Sequence, residues 1–133
     1  TKAKELGLTP LARIVSSGVS GLNPEIMGLG PIEAIRKALK LAGKTIDEID
    51  LVEINEAFAV QVIGSAKHLG IDLDKQMNVH GGAIALGHPF GMTGARIMTT
   101  LINGLQWEDK TWGVETMCVG GGQGMAMVIE RLS

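Results

Sequence analysis

The placement of glycine most constrains how this chain folds. Of its 133 residues, 19 are glycine, about twice the usual share of roughly 7%. Five lie between Gly81 and Gly94 and four between Gly120 and Gly124. Glycine this dense marks backbone that turns through left-handed angles or lies against a neighbour or a ligand. Both clusters fall between segments with clear strand or helix patterning. They are therefore junctions in an ordered chain rather than linkers.

The patterning supplies the elements. Leu11 to Val19 is rich in β-branched residues and reads as a strand, and Gly21 to Gly30 is a loop dense in turn residues. Pro31 opens a helix whose Ile32, Ile35, Leu39 and Ala42 share a face, and Gly43 ends it. Thr45 to Glu48 has capping-box spacing. Leu51 to Ile54 is a short strand running into Asn55, and Glu56 to Leu69 reads as a helix closed by Gly70. A loop over Asp72 to Gln76 precedes Met77 to Ala85, which leads into the first glycine cluster. Thr93 to Leu105 is helical with Ile97, Leu101 and Leu105 aligned. Trp112 to Val119 and Met125 to Ile129 are strands flanking the second cluster. The order is β-α-β-α-loop-α-β-β, an α/β layer structure ending in an antiparallel hairpin. Residues 1–133 are expected to form one domain.

Bulk properties narrow the function. A net charge of −2 gives no electrostatic case for nucleic acid or an anionic membrane surface. The longest uncharged run, Met77 to Ala95, is broken by two His, a Pro and several glycines, so it does not read as a membrane span. The single cysteine, Cys118, allows no internal disulfide and fits a reducing compartment, with the cytoplasm as the expected location. The three His lack ligand spacing, so no metal site is expected. Thr1 to Gly7 reads as the last turn of a helix closed by Gly7, which suggests that the chain begins mid-pattern and is a fragment.

Three junctions carry chemical residue types. Asn55, in Asn55-Glu56-Ala57-Phe58, lies beyond the carboxyl end of a strand, where α/β sheets place ligands. It reads either as the N-cap of the following helix or as an amide that fixes a water or a carbonyl. His88 follows Gly81-Gly82-Ala83-Ile84-Ala85-Leu86-Gly87 and precedes Pro89. It is either a surface loop residue or an imidazole that small neighbours open to substrate. His68 suits a helix C-terminus. Cys118 precedes Val119-Gly120-Gly121-Gly122-Gln123-Gly124. It is either a small buried apolar residue or a working thiol beside backbone N–H groups that can face an oxyanion. Together the three junctions make a plausible Cys–His–Asn nucleophilic set.

These motifs, in their order and spacing, resemble the three C-terminal signatures of the thiolase family. Lys2-Ala3-Lys4-Glu5-Leu6-Gly7-Leu8 and Met27-Gly28-Leu29-Gly30-Pro31 are similar to that family too, so the resemblance spans nearly the whole chain. It implies the C-terminal half of an acyl-CoA acyltransferase, with βαβαβαββ topology and a mixed sheet. The N-terminal domain and loop domain would be absent, together with the nucleophilic cysteine. It implies a coenzyme A thioester as substrate with no bound cofactor, and a homodimer or homotetramer in the full-length protein.

By this resemblance His88 activates the missing nucleophile and serves a thioester oxyanion hole, and Asn55 holds the water that completes that hole. Cys118 becomes the acid/base rather than the nucleophile. Gly120 lends its N–H to a second oxyanion hole, and Ala57 and Phe58 lie near the pantetheine arm. Phe90, Met92 and Thr93 stand where the family more often has Leu, Ala and Ser, which puts the acyl pocket's shape in question. The expected reaction condenses two acetyl-CoA or cleaves a 3-ketoacyl-CoA, in fatty acid and lipid metabolism, and the fragment alone is expected to be inactive. A non-catalytic acyl- or CoA-binding module of the same fold is the alternative. A ketoacyl-synthase-like enzyme fits the Cys118-led triple-glycine turn less well.

Overall fold

A computed structural model describes residues 2–133. The chain starts with a short helix α1 (Lys2–Glu5), closed at Gly7 with φ of 66°. Thr1, part of the expected terminal turn, lies outside the described residues. There follow β1 (Ala12–Gly21), a 3₁₀ segment Pro24–Leu29 kinked at Ile26, α2 (Gly30–Ala42), β2 (Leu51–Ile54) and α3 (Ala59–Leu69). A single turn α4 (Ala83–Leu86), the long helix α5 (Thr93–Trp107), β3 (Trp112–Val119) and β4 (Gln123–Arg131) complete it. Helices α2 and α3 stop at Gly43 and Gly70, as the sequence predicts.

The four strands form one mixed sheet in the order β1-β4-β3-β2. β4 pairs antiparallel with β1 and with β3, while β3 and β2 run parallel. Asp50 sets the parallel register, because its carboxylate accepts the backbone N–H groups of Thr111 (3.1 Å) and Trp112 (2.8 Å). The βαβαβαββ order implies another strand between α3 and α5. Here that position holds a single parallel bridge between Val52 and Met77, with Val52 N–H donating to Gln76 (2.8 Å) and Asn78 N–H to Val52 (2.9 Å).

The sheet is covered unequally. On one face Ala34, Ile35, Ala38 and Leu39 of α2 and Ala66 of α3 pack on Val52, Val114, Ala126 and Val128. Removing these apolar side chains from water is the main stabilising term. On the other face Leu101 and Leu105 of α5 cover Leu51 and Ile129. The helix leans over β2 and β3, leaving much of β1 and β4 bare. There Ile14 is 63% exposed, Val19 52% and Met125 41%. Among the described residues no helix is long and apolar enough to cross a membrane.

Candidate active site

Asn55 extends the end of β2, and its backbone N–H still donates into the sheet, to Thr116 (3.0 Å). Its side chain is fully buried, and Nδ2 stands 3.3 Å from His88 Nε2. The N-cap reading of Asn55 is therefore overturned. Helix α3 starts at Ala59, with Phe58 at its N-cap and no side-chain cap, so the helix begins later than the pattern from Glu56 suggests. The reason is tertiary. The strand ladder and the contact with His88 occupy Asn55, and the next three residues are used in leaving the sheet.

His88 follows α4 and Gly87, and its Nδ1 is 2.6 Å from the Thr93 hydroxyl at the first turn of α5. Asn55 Nδ2 can only donate, so Nε2 accepts and Nδ1 carries the proton; that N–H donates to the Thr93 hydroxyl, which in turn donates to the Pro89 carbonyl at 3.2 Å. The assignment, which rests on the hydrogen-bond pattern, leaves the lone pair on Nε2, where the Asn55 amide donates to it. The Phe90 ring meets the imidazole edge-on at 5.0 Å between centroids and is 87% exposed.

Cys118 pairs with Gly124 across the β3–β4 hairpin, and the loop between is Gly120-Gly121-Gly122. Gly121 and Gly122 have φ of 79° and 86°, two consecutive left-handed residues that only glycine adopts without strain. Cys118 is half-buried and free. Burial pushes its thiol up from the ordinary value, against a backbone hydrogen bond that pulls it down, so it rests protonated near neutral pH. A protonated thiol is not the state of an activated nucleophile.

Ala57, His88, Phe90, Thr93, Cys118 and Gly120 line one cleft of about 440 Å³. Asn55 reaches it through His88, and its Oδ1 is buried without a protein partner. Phe58 does not line the cleft and is 62% exposed. His68 sits in the last turn of α3, and His80 stacks edge-on against Trp107, both away from the cleft. Among the described residues no group of three His, Cys, Asp or Glu is placed to hold a metal.

Several residues here carried no sequence signal of their own. Thr93 orients His88, a contact that the five-residue spacing between them does not announce. Glu53 and Glu115 are register partners on β2 and β3, and burial raises both carboxyls to about 7. Arg96 lies 3.6 Å from Glu53 and opposes its shift. Alternation places these glutamates on the α5 face of the sheet, but alternation alone does not tell a buried glutamate from an exposed one.

The chain is similar to known proteins in both sequence and fold. The thiolase C-terminal domain family matches residues 8–131. The chain is 58% identical over 127 residues to acetyl-CoA acetyltransferase of Escherichia coli (strain K12), covering 96% of this chain and 32% of that protein. It is 57% identical over 133 residues to 3-ketoacyl-CoA thiolase of Chromohalobacter salexigens, covering 98% of this chain and 34% of that protein. The crystal structure of the Bacillus anthracis acetyl-CoA acetyltransferase superposes with a TM-score of 0.94 at 50% identity, over 98% of this chain and 33% of that one. The chain thus spans about a third of the length of these relatives. With a shared fold and about half or more of its residues in common along nearly its whole length, the chain belongs to the thiolase family as a C-terminal domain.

Proposed function

We propose that this chain supplies the acid–base and oxyanion side of an acyl-CoA acyltransferase. The reaction condenses two acetyl-CoA to acetoacetyl-CoA or cleaves a 3-ketoacyl-CoA with CoA. The observation that carries the reading is the meeting of His88, Cys118 and Gly120 in one cleft, with Asn55 bonded to His88 behind it. The nucleophile is a cysteine of an N-terminal thiolase half, the partner of this domain. His88 holds its lone pair on Nε2 and, giving up the hydrogen bond from the Asn55 amide there, takes the proton of that thiol. The imidazolium so formed then donates from Nε2 to the thioester oxygen. Cys118 gives its proton to the departing CoA thiolate, and the thiolate left behind removes the α-proton of acetyl-CoA in condensation. In cleavage the thiol returns that proton. The enolate oxygen is held by His88 and by a water on Asn55, and Gly120 N–H serves the second oxyanion. Ala57 and Phe58 border the pantetheine arm. The chemistry uses CoA thioesters and side chains alone, in a cytoplasmic homodimer or homotetramer of lipid metabolism.

The 133-residue chain by itself is expected to show no thiolysis or condensation, and a measurable rate from it would remove the need for the partner half. In a chain carrying both halves, Cys118→Ala is expected to lower turnover by about 10²–10⁴-fold and to stop exchange of the acetyl-CoA methyl protons with D₂O. A variant that still exchanges those protons at the parent rate would take Cys118 out of the acid/base role. CoA binding without exchange in the parent would favour a binding module instead.

A further inference from the structure

We propose, resting on the reading of His88 as the proton acceptor, that Glu56 is the positioning residue that holds the His88 loop against Asn55. Glu56 adjoins Asn55 in the chain, yet its carboxylate grips the loop that carries His88. One oxygen accepts from Asn78 Nδ2 at 2.8 Å, and the other accepts the backbone N–H of Ile84 at 2.9 Å. Asn78 is itself fixed to the strand end. Its Oδ1 accepts the Ile54 N–H (2.8 Å), and its Nδ2 also donates to the Ile54 carbonyl (3.0 Å). Glu56 therefore ties the end of β2 to α4, and the C-cap of α4, Gly87, is the residue before His88.

Little else anchors that turn. Only Ala83 of α4 is buried, while Ile84 and Leu86 are 68% and 59% exposed, so apolar packing does not hold it. The N-cap of α4 is Gly82, which has no side chain to cap with. The Glu56 carboxylate caps the turn from across the chain, through hydrogen bonds strengthened by its charge. Gly82 makes room for this, because a Cβ there would overlap the carboxylate. Without Glu56, the 3.3 Å contact to Asn55 and the Thr93 contact would have to order the loop against its backbone entropy.

The test uses the ¹⁵N-labelled 133-residue chain and needs no turnover. In Glu56→Gln one of the two donors faces an amide N–H in place of an acceptor. The Ile84 amide is expected to exchange about tenfold faster or more, with core amides such as Val114 and Val128 unchanged. The His88 ring nitrogens are expected to pass from one tautomer to a mixture. Gly82→Ala keeps Glu56 but displaces its carboxylate, and it is expected to give the same two changes. It decides the matter if Glu56→Gln loses core protection. Ring shifts identical to the parent in the folded variants overturn the proposal, even where Ile84 exchange quickens, since Glu56 would then be a cap and nothing more. Failure of the acyl-transfer reading would appear in the Cys118→Ala assay and leave these ring shifts as they are.

Discussion

At the scale of single residues, the site depends on which atom holds each proton. The Thr93 hydroxyl donates a hydrogen bond to the Pro89 carbonyl and accepts one from His88 Nδ1–H, so the lone pair sits on Nε2. Thr93→Ser keeps this relay and is expected to leave the His88 ring nitrogen shifts unchanged. Thr93→Val removes it and is expected to shift the tautomer and lower turnover of the complete enzyme by about tenfold or more. A valine variant with parent-like ring shifts would show that Asn55 alone sets the tautomer. The three residues at the heart of the site were legible in the sequence as types at junctions. Their arrangement was not, because Asn55 had an equally good local use as an N-cap, and only the tertiary contact with His88 decides between the two.

At the scale of elements, glycine meant more than one thing. In the second cluster Gly121 and Gly122 make the turn, whereas Gly124 is small because the start of α2 presses on β4 there. Sequence density pointed to both without separating them. Strands and helices were read well where apolar periodicity was strong, as in α5, whose Ile97, Leu101 and Leu105 are all buried. It was poorer at the start of α3, where no periodic residue marks the boundary. The paired strands β2 and β3 also bury Glu53 and Glu115, each raised to about 7 from the ordinary 4.5. A carboxyl that holds its proton more tightly folded than unfolded adds stability below the unfolded value. It loses that contribution as pH rises through the folded one. Stability is therefore expected to fall between about pH 4.5 and about pH 7, by at most about 3 kcal/mol per group. Glu115→Gln is expected to flatten that slope in denaturant melts across the window. An unchanged slope would mean that Glu115 ionises as an exposed carboxylate does.

At the scale of the whole molecule, the bare face beside α5 is the most exposed apolar surface on the sheet. Ile14, Met98, Met117, Met125 and Met127 line a depression of about 400 Å³ there. We expect the isolated chain to bind a dye such as anilinonaphthalene sulfonate and to elute larger than a monomer, because apolar patches of this kind are seldom left open. Monomeric elution with no dye signal would contradict this. The bare face was not legible residue by residue, since it depends on what lies beside the sheet, whereas the loop in place of a third strand was read from Asp72 to Gln76.

The parallel pairing of β2 with β3 also governs when the site comes into being. Asp50 and Trp112, which open that pairing, are 62 residues apart in the chain. Closing so long a loop is entropically costly, and parallel strands repay the cost late. Asn55 donates its backbone N–H to Thr116, so its place is not set until β3 has docked. The hairpin that carries Cys118 is local and is expected to form early, whereas Asn55 and the imidazole bonded to it are expected to wait for the sheet to close. In folding time, the candidate site is therefore expected to be among the last things the chain makes.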